Sequence, residues 1–197
     1  METSFETLIQ TYLDNAVGIS DDFISETLAG HLEENLLQLF RDQLLVAAGT
    51  GNDTLISHNT TVRGDSIYWL DKSHNNPFET QFLEQMEAFI AYLNLSCFAG
   101  ITSYEFHYSL YDPGSFYKKH LDQFQNNSSR VFSLISYLNP HWQSRDGGEL
   151  QVVLQGGNQK IAPTQGKTVF FKSDTLEHEV LVTNARRMSV TGWLKRD

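Results

Sequence analysis

Three residues of this sequence have side chains and a spacing suited to a metal site. His120 and Asp122 are two positions apart, and on a β-strand residues i and i+2 point to the same face, so both could reach one ion. His178 follows 56 residues after Asp122, at the start of another strand-like run. Two imidazoles and one carboxylate predict a facial triad for non-haem Fe(II), with positions left open for a 2-oxo acid and O₂. Each part of this pattern has an alternative to metal binding. His120 and Asp122 could be a His-x-Asp pair that occurs by chance, and His178 could be an ordinary histidine at the end of a strand.

Arg187 lies nine residues after His178 and could bind an anion beside that metal. Strand alternation places Arg187, Ser189, Thr191 and Trp193 on one face. A buried guanidinium requires an anion, and its fork of donors matches a carboxylate in a bidentate manner. We therefore expect Arg187 to bind the distal carboxylate of 2-oxoglutarate, with a structural salt bridge as the alternative.

Two helical patterns precede these residues. Leucine and phenylalanine recur every four residues from Asp21 to Ala48, which predicts an amphipathic helix that ends at Gly49-Thr50-Gly51. A second helix is predicted to begin at Asn76-Pro77, an N-cap followed by proline in the first turn. We expect both apolar stripes to be packing surfaces.

From about Ser103 the hydrophobic period changes to two, which indicates strands. Tyr111 shares one face of this first strand with His107 and Ser109, and Tyr137 lies on a mixed face of a later strand. Turn sequences separate the runs, so we predict an antiparallel sandwich or jelly roll with the helices outside one sheet. The further strand-like runs are Arg130–Leu138, Glu149–Leu154, Thr168–Lys172, Glu179–Thr183 and Arg187–Leu194.

The composition is that of an ordinary globular protein, with 40% hydrophobic residues, 19% charged residues and a net charge of −10. Residues 1–60 contain ten acidic residues and one basic residue, Arg41. We interpret this acidic region as a solvated helical face, with an acidic docking surface as the alternative. Phosphate backbones repel such a surface, so a nucleic-acid partner is not expected.

The sequence also bears on the compartment and on thiol chemistry. No segment has the roughly 20 apolar residues that cross a bilayer, and residues 1–6 lack the regions of a secretory signal. We therefore expect no membrane association and a cytoplasmic location. Cys97 is the only cysteine, which excludes an internal disulfide and a thiolate zinc site.

Several motifs, in order and with similar spacing over roughly residues 61–195, resemble those of the 2-oxoglutarate/Fe(II) oxygenase superfamily. More specifically, the chain looks like the hypoxia-inducible-factor prolyl hydroxylases and their small bacterial relatives. The residues that carry it are Val62–Leu70, Tyr111–Asp122, Ser136–Asn139 with Trp142, Gly147–Leu150, His178–Val180 and Arg187–Trp193.

The resemblance implies a mainly β fold with flanking helices, a double-stranded β-helix with the site between its two sheets. Residues 1–60 would be an acidic helical extension packed on the core, and residues 61–197 the oxygenase domain, together one compact unit. It implies that His120, Asp122 and His178 hold Fe(II). The 2-oxoglutarate site would consist of Arg187, Tyr137, Tyr111 and Ser189, although Tyr111 could equally be a solvent-facing strand residue.

The resemblance further implies a reaction that uses O₂, with ascorbate as a reductant, and hydroxylates a prolyl residue in a protein such as a translation factor. The substrate side would include Trp69 and Trp193, as packing or pocket-wall residues, and an Asp65–Arg130 salt bridge. Residues 70–76 could close over a peptide or form an ordinary connection. The sequence departs from the family in residues 123–129 and in ending four residues after Trp193, where animal members have a substrate-gripping helix.

Three alternatives share parts of this pattern. A hydroxylase of a free amino acid or other small molecule would have the same cofactor residues. A nucleic-acid demethylase would share the triad, but the acidic charge balance opposes it. A non-catalytic jelly-roll binding module would contain the histidines incidentally. The substrate, the oligomeric state and the role of the acidic helices stay open.

Overall fold

The computed structural model describes residues 2–49, 61–123 and 127–197. Three helices lie within these ranges: α1 (Glu2–Asn15), α2 (Glu26–Arg41) and α3 (Pro77–Cys97). Short 3₁₀ turns occupy Lys72–His74 and Ser144–Asp146. The strands are β1 (Val17–Ser20), β2 (Val46–Ala47), β3 (Asp65–Trp69), β4 (Ser103–Tyr111), β5 (Tyr117–His120), β6 (Arg130–Tyr137), β7 (Leu150–Leu154), β8 (Gly157–Ile161), β9 (Thr168–Lys172), β10 (His178–Val180) and β11 (Arg187–Lys195).

The strands of the described residues form two antiparallel sheets. The major sheet has seven strands in the order β1-β9-β6-β11-β4-β3-β2, and the minor sheet has four in the order β5-β10-β7-β8. In the major sheet β11 is central, paired along its length with β4 and with β6. Non-consecutive strands are neighbours in both sheets, so residues far apart in sequence meet on the inner faces of the two sheets.

The packing gives each face of the major sheet its own core. Its outer face carries Phe106, Tyr108 and Leu110, which pack with the apolar sides of the helices in one cluster. Its inner face contributes Tyr137 and Phe171 to a second cluster, shared with the minor sheet. The predicted mainly β fold, a jelly roll with helices on one sheet, is therefore confirmed.

The helix predicted from Asp21 to Ala48 is shorter than expected. Ser25 is its N-cap, and its hydroxyl accepts a hydrogen bond from the amide of Leu28 at 3.1 Å. The helix ends at Arg41, and Gln43 has a left-handed φ of 57°. The predicted stop at Gly49-Thr50-Gly51 includes Thr50 and Gly51, which lie outside the described residues. The apolar stripe therefore continues in the sequence past the turn that ends the helix.

The start of α3 agrees with the sequence. Asn76 is the N-cap, and its side-chain oxygen accepts from the amides of Phe78 and Glu79 at 2.9 and 3.2 Å. Pro77 follows in the first turn, where its missing amide hydrogen costs nothing.

The acidic N-terminal region contains more than helices. Strand β1 pairs with β9, and β2 pairs with β3, so residues 17–20 and 46–47 form both edges of the major sheet. These strands and β8 were not predicted. The proposed division at residue 60 remains a prediction, and it falls at the end of residues 50–60, which are outside the described ranges.

The described residues contain no helix that is both long enough and apolar enough to cross a membrane.

Candidate metal and cosubstrate site

His120, Asp122 and His178 come together at one end of the minor sheet. His178 in β10 lies opposite His120 in β5 in their antiparallel ladder. The Nε2 atoms of His120 and His178 are 3.4 and 3.5 Å from the two carboxylate oxygens of Asp122. One ligand atom from each residue lies within 4.8 Å of the others. Asp122 itself follows the end of β5 in a bend, not on the strand as predicted.

Both imidazoles are oriented by backbone carbonyls. The Nδ1 of His120 lies 2.7 Å from the carbonyl oxygen of Lys118, and the Nδ1 of His178 lies 3.0 Å from that of Leu176. When Nδ1–H donates to these carbonyls, each Nε2 keeps its lone pair and faces the Asp122 carboxylate. This is the tautomer that a metal ligand requires.

The Asp122 carboxylate is held as an anion. Ser133 donates a 2.6 Å hydrogen bond to it, and the Ser133 hydroxyl lies 2.9 Å from that of Ser173. Burial by itself raises the pKa of Asp122, but the neighbouring His178 and His120 and the Ser133 hydroxyl hold it well below its usual range. Burial also lowers the pKa of His178, which favours its neutral form. The donor set therefore contains an anionic carboxylate and, at His178, an imidazole that favours its neutral form.

Arg187 is the buried cation that the sequence predicts. Its side chain is 3% exposed, and its Nε donates to the carbonyl oxygen of Gly148 at 2.8 Å. No carboxylate among the described residues pairs with it within 4.0 Å. Gly148 has a φ of +72°, and a Cβ there would lie 3.1 Å from the Arg187 Cδ, so a glycine lets the guanidinium stem pass. Arg187 also lines a cavity, so an external anion could reach it.

Two tyrosines flank this guanidinium. Its central carbon is 5.0 Å from the ring centroid of Tyr111 and 5.1 Å from that of Tyr137. Burial raises the pKa of Tyr111 and of Tyr137, so both are neutral donors. Among the described residues the Tyr137 hydroxyl is buried and makes no hydrogen bond of ordinary geometry, although the Arg187 guanidinium is near enough to lower its pKa against the effect of burial. Ser189 is also buried, between Tyr137 and Ser109, with its hydroxyl 3.1 Å from that of Thr191.

A cavity of about 580 Å³ joins Arg187 to the three candidate metal ligands. Strand register arranges one wall of it in successive rows across β3, β4 and β11. The first row is Asp65, Tyr111 and Arg187; the second is Ile67, Ser109 and Ser189; the third is Trp69, His107 and Thr191. Beyond them Trp193 lies between Glu105 and Ser133. Because Ser133 contacts Asp122, the metal ligands face these outer rows, and Arg187 is at the opposite end.

Three of the four predicted substrate-side residues, Trp69, Arg130 and Trp193, line this cavity, whereas Asp65 does not, and one predicted contact is wrong. Asp65 forms its ion pair with Arg63 at 2.6 Å, not with Arg130. Arg130 pairs with Glu105 at 2.8 Å, and its guanidinium lies 3.4 Å above the Trp193 ring. The physical reason is proximity: Arg63 is two residues from Asp65 and can grip it with two parallel hydrogen bonds.

The aromatic residues Trp69 and Trp193 differ in exposure. Trp69 is 45% exposed and Trp193 is 7% exposed, with their ring centroids 6.5 Å apart. Both line the cavity, as predicted for pocket-wall residues.

Residues 70–76 form an ordered connection to α3. A 3₁₀ turn at Lys72–His74 is capped by Asp71, Lys72 pairs with Glu87 at 2.7 Å, and His74 lies 2.9 Å from Glu79.

Sequence reasoning missed four contributors to the site. Tyr117 stacks on the His120 ring at 3.6 Å, and the Arg63 guanidinium lies 4.3 Å from the centroid of the Tyr117 ring. Ser133 orients Asp122, and His107 lies in the cavity wall. Alternation places His107 on the face of Tyr111 and Ser133 on the face of Tyr137, but only the strand register shows what each one contacts.

The chain is similar in sequence and in structure to known oxygenases. Residues 106–195 match the family described as the 2OG-Fe(II) oxygenase superfamily. A prolyl-4-hydroxylase from Pseudomonas putida is 30% identical, with a TM-score of 0.88, over 98% of this chain and 99% of that one. A prolyl hydroxylase from Trichoplax adhaerens, in complex with a hypoxia-inducible-factor peptide fragment, is 22% identical, with a TM-score of 0.87, over 98% and 90% of the two chains. A prolyl 4-hydroxylase from Phytophthora capsici is 19% identical, with a TM-score of 0.75, over 98% and 63%.

Proposed function

This chain belongs to the 2OG-Fe(II) oxygenase superfamily, and on that premise we propose that it hydroxylates a prolyl residue in a protein or peptide. The chain is a prolyl hydroxylase-like, 2-oxoglutarate-dependent oxygenase. One observation carries the proposal. A single cavity has two histidines and a carboxylate at one end, and at the other a buried arginine that has no acidic partner among the described residues.

We assign the metal site to His120, Asp122 and His178. The donor set fits Fe(II), since it supplies two imidazoles and one carboxylate, each oriented by a second hydrogen bond. When bound, Fe(II) and 2-oxoglutarate would activate O₂ as the oxidant: one oxygen atom would enter succinate as 2-oxoglutarate loses CO₂, and the other would enter the substrate C–H bond as a hydroxyl group. O₂ as cosubstrate and ascorbate as reductant remain predictions from the family resemblance.

We assign the distal carboxylate of 2-oxoglutarate to Arg187 and Tyr137. The guanidinium is buried and neutralised by no described acid, and the unpaired Tyr137 hydroxyl is a neutral donor. A carboxylate between them would accept from both, which removes the cost of the buried charge and of the unpaired hydroxyl. Tyr111 covers the Arg187 guanidinium, and Ser189 lies beside Tyr137, so both shape this end of the cavity.

We assign the substrate to the outer part of the cavity, where the outer rows face the metal ligands and Arg187 is at the opposite end. There Trp69 and Trp193 form an aromatic wall that suits a prolyl ring, and Arg130 covers Trp193. Asp65 has an indirect role, because its ion pair with Arg63 holds the Arg63 guanidinium beside the Tyr117 ring. The whole-length likeness to the Pseudomonas putida prolyl-4-hydroxylase supports a prolyl target, and a translation factor is our first candidate partner.

An anaerobic titration followed by a peptide assay tests this function. Fe(II) and 2-oxoglutarate added together, without O₂, should produce a visible charge-transfer band. A library of capped peptides with a central prolyl residue, incubated in air, should then gain the mass of one oxygen atom with matching succinate release. Absence of the band contradicts the cofactor assignment. A band with hydroxylation of free proline, but of no peptide, would instead identify a small-molecule hydroxylase.

A further inference from the structure

His107 is a buried polar residue that has no role in binding the metal or 2-oxoglutarate as assigned. It is 2% exposed, and its ring lies between Trp69, at 5.0 Å, and Trp193, at 5.4 Å, centroid to centroid. Within the described part of the chain its Nδ1 is buried without a hydrogen-bond partner. A phenylalanine would make the same ring contacts without that unpaired nitrogen, so packing alone does not explain a histidine here.

The imidazole of His107 is neutral at physiological pH. Burial lowers its pKa to about 3; the smaller effects of Arg63 and Arg130 act in the same direction, and those of Asp65 and Asp122 oppose it. A neutral imidazole offers one N–H donor and one acceptor nitrogen, which matches an uncharged polar partner such as an amide. It does not match the carboxylate ends of 2-oxoglutarate.

The position of His107 points to the substrate side of the cavity. In the rows across the sheet it is two rows beyond Tyr111 and Arg187, with Trp69 and Thr191 as its lateral partners. The indole of Trp193, stacked beside it, also has its Nε1 buried without a hydrogen-bond partner in the described residues. Two unpaired polar groups thus lie side by side in an otherwise aromatic wall.

We propose that His107 is a specificity-determining residue that hydrogen-bonds a main-chain amide N–H of the substrate, on a residue next to the target prolyl. This inference rests on the proposed function. A prolyl residue has no N–H, so the amide must belong to a neighbour. A residue of an extended peptide presents its N–H and C=O on the same side, which would serve His107 as acceptor and the Trp193 indole as donor. The substrate class is therefore an extended peptide, not free proline.

His107→Phe tests this, because it keeps an aromatic ring between the two tryptophans and removes both nitrogens. With the best capped pentapeptide of the library as the probe, we expect about a tenfold rise in KM and in the anaerobic Kd for the peptide. The kcat should stay within about twofold, and the Kd for 2-oxoglutarate should not change. His107→Asn, which keeps a polar group near the position of Nδ1, should recover part of the affinity. His31→Phe is the matched control, since His31 stacks on Phe78 in another part of the fold.

A second measurement needs no variant of the enzyme. N-methylation of each peptide amide flanking the prolyl residue, one at a time, should reveal one position at which methylation weakens wild-type binding about tenfold. The same methylation should weaken binding to His107→Phe no further. If no flanking amide matters, or if methylation affects both proteins equally, His107 does not read that amide. If no pentapeptide is hydroxylated although the anaerobic band forms, the proposed function itself fails, which is a distinguishable result.

Discussion

His178 lies opposite His120 in the antiparallel ladder between β10 and β5, and their ring centroids are 4.3 Å apart. This pairing brings residues from two separate parts of the sequence to one side of Asp122. The carboxylate contacts both Nε2 atoms at 3.4 and 3.5 Å, so it is the common member of the group. Its removal should therefore affect the whole site.

Asp122→Ala should lower the affinity for Fe(II) by more than about 100-fold, since loss of an outer-sphere partner alone costs roughly 10–100-fold. Turnover of 2-oxoglutarate should fall to background. Fe(II) binding can be measured anaerobically through the charge-transfer band, and turnover through succinate release. Asp112→Ala is the matched control, because Asp112 is half-exposed and pairs with Arg186. Full turnover in Asp122→Ala would show that the ligand assignment is wrong.

Ser133→Ala tests the support of that carboxylate. Ser133 donates a 2.6 Å hydrogen bond to Asp122, so its loss should lower Fe(II) affinity about tenfold and leave the Kd for 2-oxoglutarate nearly unchanged. Ser136→Ala, on the same strand, removes an equally buried hydroxyl that lies 2.8 Å from the hydroxyl of Thr168, away from the metal ligands. Equal Fe(II) affinity in the two variants would contradict an orienting role for Ser133.

Arg187→Ala should weaken 2-oxoglutarate binding by about 100-fold, because it removes the buried cation from a charge-assisted pair. Arg187→Lys keeps the charge but not the planar fork, so its affinity should be intermediate. The adjacent Arg186→Ala changes an exposed cation and serves as the control. The Kd comes from anaerobic titration at saturating Fe(II). An unchanged Kd in Arg187→Ala would remove Arg187 from the cosubstrate site.

The closeness of His120 to Asp122 and the inward face of Arg187 could be predicted because they depend on local rules, whereas only the pairing of β10 with β5 brings His178 to them. His120 and Asp122 are close in sequence, and alternation along Arg187–Trp193 assigns one inward face. The register between strands could not be predicted from local rules. This register places Ser133 in contact with Asp122 and His107 opposite Trp69. The Asp65–Arg130 salt bridge was inferred from resemblance, and it was wrong because a nearer arginine takes the carboxylate.

The short edge strands also could not be predicted from local sequence. Strand β1 has four residues, too few for a period of two to stand out in an acidic region that is otherwise helical. It is a strand because it pairs with the edge of β9, with Val17 opposite Phe171 and Ser20 opposite Thr168. Tertiary pairing, not local sequence, determines such elements.

Two glycines should respond in opposite directions to substitution by alanine. Gly192 lies in central β11, where a Cβ would be 2.2 Å from both the carbonyl oxygen of Glu105 and the ring of Phe106, so Gly192→Ala should destabilise the fold by about 3 kcal/mol. Gly30 lies within α2, where an added methyl group would meet no atom within 4 Å beyond its own helix backbone, so Gly30→Ala should stabilise by about 0.5–1 kcal/mol. Urea denaturation measures both. Equal stability of the two variants would contradict the tight packing of β11.

The pH dependence of stability should report the buried histidines. Burial lowers the pKa of His107 to about 3 and also lowers that of His178, so the unfolded chain binds more protons than the folded one below about pH 6.5. The metal-free protein should therefore lose stability as pH falls from about 6.5 towards 3, and each histidine contributes up to about 1.4 kcal/mol per pH unit. His107→Phe should reduce this slope and leave the part due to His178. Urea denaturation of both proteins at several pH values measures the difference. A slope unchanged by the substitution would mean that His107 is protonated as readily in the folded protein as in the unfolded chain.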